Sequence, residues 1–336
     1  MKTWRIENDD GIDALNLIDV DLGDPGPGEI RVKVRTSSIN RRDMNTVAAP
    51  SARGTPLPCI PNSDMAGEVV AVGDGVRDFK PGDRVASCFF KRWEAGRMNG
   101  AIMASALGGA EQGMLSEVTI LPEGALVALP DQLSWDEAGT LTCAGVTAWN
   151  ALVEQGGLKA GDTVLLLGTG GVSIFGLQIA KAMGARVIIT SKSGEKLERA
   201  REMGADETIN YAETPDWDEA VMKLTNGVGV DHVVEVGGPG TLHKSIGALA
   251  MGGHIALIGV LTGGEINPLP LMRKSGKLSG IYVGSREMFR NLNRAISANG
   301  IKPVIDRTFD FGDARAAYHA MGEDGHFGKI VIRVSG

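Results

Sequence analysis

Thr163 to Lys196 reads TVLLLGTGGVSIFGLQIAKAMGARVIITSKSGEK. An apolar run, Val164 to Leu167, ends in a glycine-rich turn, GTGGVS, at Gly168 to Ser173. Val172, Phe175, Ile179 and Met183 then recur at three- and four-residue spacing, which predicts a helix with one buried face. A second apolar run, Val187 to Ile189, follows at once. Strand, glycine turn, helix and strand within about thirty residues is the layout of a dinucleotide-binding βαβ unit. Gly168 supplies backbone angles that a side chain would forbid. Gly170 and Gly171 let the chain approach a pyrophosphate, and Val172 lies beside them at the helix start. The N–H groups and the positive end of the helix then favour phosphate charge. The third position of the glycine fingerprint is Ser173, small enough for close helix–strand packing.

Composition narrows what surrounds this unit. The chain has 336 residues, 43% of them apolar, and 47 glycines, which suits two ordinary domains. The formal charge is −7 and no Lys/Arg block stands out, which argues against nucleic acid as a partner. MKTWRIENDDG at the start has no apolar signal core, and no uninterrupted apolar stretch is long enough for a membrane span. A cytoplasmic protein with no membrane partner is the expectation. Cys59, Cys88 and Cys143 are scattered and odd in number, which fits a reducing compartment.

Residues 1 to 126 are β-rich. EIRVKVRTSSI, AGEVVAVG, GDRVASCFF and LSEVTILP are short β-prone runs cut by Gly, Asp and Pro, and they predict a small, partly open barrel. Residues 91–113 read as a long loop or short helix. Trp135 to Leu152 reads as a helix, with Ser134 or Asp136 as its cap. Beyond it, strands and helices alternate strictly, from Thr163–Leu167 through Val230–Val236 and His254–Val260 to KLSGIYVG. Such alternation implies a parallel sheet with helices on both faces. The tail adds helix Arg286–Ala298, strand PVIDRTF, helix Ala314–Met321 and strand KIVIRV, the last returning to the N-terminal domain.

These segments resemble the medium-chain dehydrogenase/reductase superfamily, and within it the zinc-free NADPH:quinone oxidoreductase-like branch. The resemblance runs nearly end to end. It rests on INRRD (Ile39–Asp43), IPNSDMAGEVVAVGDGV (Ile60–Val76), PGDRV (Pro81–Val85), CAGVTAW (Cys143–Trp149), GTGGVS, EKLERAREMGADETINY (Glu195–Tyr211), GVDHVVEVGG (Gly229–Gly238) and HFGKIVIR (His326–Arg333). It implies an α/β protein with a GroES-like β-rich catalytic domain over 1–126 and 298–336. A Rossmann doubly wound parallel sheet would fill 127–297. It also implies hydride transfer from a nicotinamide.

Zinc-bearing members of that superfamily ligate the metal with a Cys, a His–Glu pair and a second Cys or Asp. The first position is Asn40 here, the pair is Ser63–Asp64, and only Cys143 remains at the third. The five histidines all lie at or beyond His232. Zinc prefers thiolate and imidazole, so no metal is expected, and Cys143 reads more readily as a buried apolar residue.

After the second strand, NAD-preferring proteins usually carry an acid for the ribose hydroxyls. Thr190–Ser191–Lys192–Ser193 has none. Ser191 and Ser193 can hydrogen-bond a 2′-phosphate, and Lys192 and Lys196 can neutralise it, so NADPH is the expected cofactor. A solvated basic turn is the plainer alternative. By the resemblance, Tyr211 lies along the adenosine end, and Gly259, Val260 and the Val283–Ser285 segment meet the nicotinamide amide. Lys329 approaches the cofactor from the C-terminal side, and Arg286 either touches phosphate or caps a helix.

Without a metal, Asn40 or Ser63 would hydrogen-bond the acceptor oxygen and Thr147 would pack on the nicotinamide. Asp64, and less so Asp43, could move protons; pairing with Arg41 or Arg42 is the plainer role. Such weak donors favour acceptors that delocalise charge, namely quinones and α,β-unsaturated carbonyls. Phe89, Phe90 and Trp93 line an apolar substrate pocket or belong to the core. Two other outcomes stay open: an NADP-dependent alcohol or ketone dehydrogenase, and a nucleotide-binding protein without turnover. An unpaired sheet edge at KLSGIYVG or INPLPLMRK predicts a homodimer.

Overall fold

The apolar runs of the second half do form one parallel sheet. Its strands are Thr163–Leu166, Arg186–Ser191, Glu207–Asn210, Val230–Glu235, Leu249–Leu257 and Lys277–Gly280. They pair in parallel throughout, in the order third, second, first, fourth, fifth, sixth, the doubly wound order. Val164, Leu165, Leu166, Val187, Ile188, Ile189 and Val234 are fully buried, as strands covered by helices on both faces require. The helix Gly171–Ala182 lies so close to the first strand that a Cβ on Gly176 would come within 3.0 Å of the Leu166 side chain. Leu165, Ile188, Val233, Leu242, Ile246 and Ile255 share a core with Trp217 and Val221.

The computed structural model describes residues 1–259, 261–323 and 325–335. It divides into two units: Thr147–Val283, which holds the parallel sheet, and Met1–Val146 together with the chain from Gly284 onward. The sequence reading sets its limits at 126/127 and 297/298. The division falls elsewhere because both flanking segments pack on the β-rich unit. Trp135–Ala138 lies against Glu29–Ile39 and Asp64–Val72, and Arg286–Asn299 against Leu126–Ala128. Asn293 Nδ2 donates to the Ala128 carbonyl at 2.9 Å. Val260, expected at the end of the fifth strand and beside the cofactor, lies outside the described residues.

In the first unit, Glu29–Ile39 is the hub. It pairs antiparallel with Asp64–Val72, Val118–Pro122 and Lys329–Arg333. The sheet runs on through Arg84–Ser87 to Leu126–Ala128 on one side and to Ile305–Asp310 on the other. The last strand of the chain therefore joins the N-terminal domain, as its position after Gly328 suggests. Ile30, Val32 and Val34 point into a core with Trp4, Met65, Val69, Leu115, Tyr318, Ile330 and Ile332. From Thr36 the alternation stops, and Thr36, Ser37, Ser38 and Ile39 are all buried. A strand that buries consecutive hydroxyls must pair them internally.

Two local expectations change. Trp135–Leu152 is not one helix but four short pieces, Trp135–Ala138, Leu141–Gly145, Val146–Trp149 and Asn150–Glu154. The second and fourth are wide π turns, a feature that periodicity does not register and that often marks functional sites. Ser134 caps the first piece, its Oγ accepting from Glu137 N at 3.2 Å. Residues 91–113 contain one short helix, Gly100–Met103. Among the described residues no helix is long and apolar enough to cross a membrane.

Candidate active site

The glycine turn has the geometry that its sequence asks for. Gly168 takes φ +70°, a left-handed conformation costly for other residues, and its N–H donates to Thr190 Oγ1 at 3.3 Å. Gly170 precedes the helix, which begins at Gly171 and continues through Val172. The first N–H groups of that helix have no intrahelical acceptor, an arrangement that favours negative charge. Ser173, in the third fingerprint position, is buried and donates its hydroxyl to the Leu167 carbonyl at 2.7 Å. It ties the helix to the strand where a glycine or alanine would merely allow contact.

At the far end of the second strand, Ser191 is buried and its Oγ accepts from Ser193 N at 3.2 Å. Ser193 in turn caps Gly194–Glu202. Lys192 is exposed, Lys196 half-buried and Tyr211 exposed. No carboxylate stands between Ser191 and Gly194. Gly259 has a structural reason to lack a side chain: a Cβ there would fall 1.8 Å from the Val236 carbonyl oxygen. Val283 takes φ +55°, an outlier for a β-branched residue. Its carbonyl accepts from Asn150 Nδ2 at 2.7 Å. Thr147 opens the unit and is buried.

The first unit gathers Asn40, Asp43, Ser63, Asp64 and Lys329 into one buried polar cluster. The Lys329 ammonium donates to the Ile39 carbonyl at 3.0 Å and to Asn40 Oδ1, and stands 3.5 Å from Asp64 Oδ2. Asp64 accepts from Ser63 Oγ at 2.7 Å on one oxygen and from Ser38 Oγ at 2.9 Å on the other. Asp43 accepts from the Asn40 backbone N–H at 2.9 Å and from Asn40 Nδ2 at 3.1 Å. It thereby caps Arg41–Ala48 from the N3 position. Arg42 pairs with Asp43 at 3.0 Å and also donates to the Leu107 carbonyl at 2.7 Å. Burial pushes the Asp43 carboxyl above its ordinary value; Arg42 opposes the rise and Asp64 adds to it. Cys143 keeps a partly exposed edge, yet burial, and after it Asp64, push its thiol well above the ordinary range.

Several expected roles change. Ser63 donates its one hydroxyl proton to Asp64, so as placed it has none left for an acceptor oxygen. Lys329, expected on the cofactor, turns its ammonium to Asn40 and Asp64 instead. Arg286 is buried and its guanidinium is committed: to the Leu126 carbonyl at 2.7 Å, to Glu94 at 3.0 Å and near Asp78 at 3.6 Å. A cofactor phosphate would have to displace these acids. Ser285 caps the following helix, its Oγ accepting from Met288 N at 3.2 Å. Phe89, Phe90 and Trp93 are buried and stack edge to face at 4.8 and 5.6 Å. Arg42 lies over the Phe89 ring at 4.8 Å, so the aromatic group supports the polar cluster as part of the core.

Other contributors escaped the sequence reading. Asn62, at φ +67°, donates to Ser37 Oγ at 2.9 Å and accepts from the Tyr318 hydroxyl. Burial pushes that phenol well above its ordinary value, which keeps it a donor. The buried Glu235 carboxylate gathers Gly237 N at 2.8 Å, Gly238 N at 3.0 Å, Thr241 Oγ1 at 2.7 Å and Ser245 Oγ. An acid closing an apolar strand just before two glycines was the signal for it.

A dinucleotide-type turn on a doubly wound sheet, with a separate β-rich unit carrying buried ionisable groups, defines an oxidoreductase of the two-domain nicotinamide type. Residues 26–131 match the alcohol dehydrogenase GroES-like domain family, and residues 171–298 the zinc-binding dehydrogenase family. A zinc-type alcohol dehydrogenase-like protein of Schizosaccharomyces pombe is 42% identical over 316 residues, covering 92% of this chain and 91% of that protein. An alcohol-dehydrogenase-type protein from Sinorhizobium meliloti 1021 superposes with TM-score 0.92 at 43% identity over 99% of this chain and 100% of its own. An NAD-dependent alcohol dehydrogenase does so with TM-score 0.91 at 32% identity over the full length of both. Human quinone oxidoreductase is 26% identical over 341 residues, 99% of this chain and 97% of that protein. A mycobacterial protein complexed with NADPH superposes with TM-score 0.83 at 26% identity over 99% of this chain and 100% of its own. The chain belongs to the medium-chain dehydrogenase/reductase superfamily, whose oxidoreductases bind a nicotinamide cofactor.

The family implies zinc, so the donors must be tested against it. Both Asp64 oxygens are engaged by hydroxyls, Asn40 Oδ1 faces an ammonium, and Cys143 supplies the one thiol among these four positions. Among the described residues no group of three or more His, Cys, Asp or Glu side chains is placed to hold a metal. Zinc asks for thiolate or imidazole; these residues do not fit it.

Proposed function

We propose that the protein is a zinc-independent, NADPH-dependent oxidoreductase that passes hydride to a quinone or an α,β-unsaturated carbonyl. The observation that carries this reading is the donor set at Asn40, Ser63, Asp64 and Cys143, which suits a charge-balanced polar cluster and not a metal. Amide and ammonium donors stabilise a delocalised oxyanion better matched to conjugated acceptors than to a simple ketone. The acid-free Ser191–Lys196 segment, with two lysines, supports NADPH. The likeness to a quinone oxidoreductase and to an NADPH complex supports the same reading.

A second reading is an NADP-dependent alcohol or ketone dehydrogenase, favoured by the greater identity to proteins of alcohol dehydrogenase type. One experiment separates the two. Metal content is measured on the purified protein, and NADPH and NADH oxidation are followed over quinones, enones and ketones. Turnover of quinones or enones by metal-free protein with NADPH is the expected result. Stoichiometric zinc, or activity confined to alcohols and ketones, would replace this reading with the second.

The proposal extends to the assembly and the compartment. Lys277–Gly280 is a sheet-edge strand, and Met272 and Tyr282 flank it in sequence with 66% and 44% of their surface exposed. An unpaired edge with apolar neighbours suits a homodimer, which the mass in solution checks. Three unpaired cysteines suit the cytoplasm.

A further inference from the structure

We infer that the Lys329 ammonium is the resident cation of this site, standing where zinc-bearing relatives hold a metal and drawing negative charge from the acceptor oxygen. The second half of this statement rests on the reaction proposed above; the first half does not.

Lys329 opens the last strand and is 3% exposed. Gly328 sets it there at φ +84°, and a Cβ on Gly328 would strike the Val304 carbonyl oxygen at 2.5 Å. Register brings Ile330 opposite Ile39, so Lys329 enters beside Asn40. Its three donors meet the Ile39 carbonyl, Asn40 Oδ1 and Asp64 Oδ2. Asn40 and Asp64 are two of the positions at which the relatives' pattern puts metal ligands. The ammonium thus satisfies oxygens that would otherwise point at a metal.

The ionisable groups held together here are the buried Lys329 and the partly buried Arg42 on one side and the buried Asp43 and Asp64 on the other. Two positive and two negative charges cancel. Adding a divalent ion would leave two uncompensated positive charges away from water, which is strongly unfavourable. The lysine therefore supplies a cation and excludes a metal by the same act.

Function follows from the weakest of the three contacts. Asp64 Oδ2 stands 3.5 Å from Nζ, farther than the Ile39 carbonyl at 3.0 Å. The N–H aimed at Asp64 is the one that can turn to an incoming carbonyl oxygen while the other two keep the lysine in place. A bound NADPH would supply the hydride for the new C–H bond and be left as NADP⁺, while the conjugated π pair would move onto oxygen beside the Lys329 ammonium. The ammonium holds the oxyanion until water protonates it.

The test compares the full-length wild type with Lys329→Ala, Lys329→Met and Lys329→Met/Asp64→Asn. Thermal midpoints are recorded with ethylammonium chloride, zinc chloride or potassium chloride at matched ionic strength. Lys329→Ala should melt lower than wild type and be raised by ethylammonium but not by potassium. Wild type should respond to neither and should take up no zinc. The charge-neutral double variant should be more stable than Lys329→Met alone. With NADPH and an enone, Lys329→Met should lose about a hundredfold in kcat, the loss typical of one oxyanion donor, while its NADPH affinity stays within about threefold, too small a change for a lost phosphate contact. Failure of ethylammonium to raise Lys329→Ala, zinc uptake by wild type, or a double variant less stable than Lys329→Met would each overturn the inference. If Lys329→Ala does not fold, the double variant decides. If wild type turns over no acceptor, the proposed reaction fails, and the melting series still settles whether the lysine is the site's cation.

Discussion

The glycine turn and the buried polar cluster are built in opposite ways. At Gly168–Ser173 each demand of the site is met by a sequence neighbour: a left-handed glycine, a helix start and a small third residue that bonds back to Leu167. The cluster takes Ser37, Ser38, Asn40 and Asp43 from one stretch, Asn62 to Asp64 from another, and Tyr318 and Lys329 from the far end of the chain. Damage to the first should stay local and appear as lost binding. Damage to the second should spread into stability, because each member holds another away from water.

The largest effect expected on this contrast is at Asp64. Asp64→Ala strands the Lys329 ammonium and frees the Ser38 and Ser63 hydroxyls. Removing one partner of a buried pair costs about 3–5 kcal/mol, which a denaturant melt should register. A stability loss below 1 kcal/mol, roughly that of a surface pair, would show that the cluster is wetter and less interdependent than described.

Next in size is Gly170→Glu, which sets a carboxylate where the turn would meet the pyrophosphate. Like charges placed together cost several kcal/mol, so NADPH affinity should fall by at least about a hundredfold. The melting temperature should stay near wild type, because Gly170 is a half-buried residue at a helix start with a backbone angle open to any side chain. Parallel loss of folding would erase the distinction between the two regions.

A smaller effect is expected at the distal end of the same unit. The double change Lys192→Ala/Lys196→Ala should raise KM for NADPH about tenfold, the scale of one or two charge-assisted contacts, and leave KM for NADH unchanged. An equal rise for both cofactors would mean that these lysines do not read the 2′-phosphate.

The same contrast explains what the sequence made legible. Sheet order, the helix after Gly170 and the return of the last strand follow from periodicity and turn residues, which act within a few positions. The polar cluster follows from register, which sequence spacing does not carry. Ser37 and Ser38 look like ordinary strand hydroxyls until Asp64 is seen across the ladder. Ser63 reads as a donor to the acceptor oxygen until its hydroxyl is found donating to Asp64. Lys329 has no sequence neighbour that hints at Asn40. Arg286 reads as a phosphate contact or a helix cap because nothing nearby in sequence announces Glu94 and Asp78. The π turns within 141–154 kept a helical pattern while breaking the helix.

The smallest expected effect lies at the other end of the parallel sheet and tests whether that unit also hides long-range coupling. His254 is buried beside His232, with ring centres 6.2 Å apart, and is paired in register with Lys277 on the edge strand. Its removal from water, then His232 and Lys277, bring its pKa down from 6.5 to about 4. His232 is itself tied to Asp162 at 3.1 Å. In the folded protein the His254 ring therefore stays neutral down to about pH 4, whereas in the unfolded chain it gains a proton near pH 6.5. Between those values the unfolded state binds more protons, so stability falls as pH drops through this window and levels off below it. His254→Leu removes that titration. Its thermal midpoint should fall less steeply than that of wild type from pH 7 to pH 4, measured by calorimetry in matched buffers. Identical slopes would show that the histidine row adds nothing to the acid sensitivity of the nucleotide unit, leaving local glycine chemistry as that unit's main sequence-encoded device.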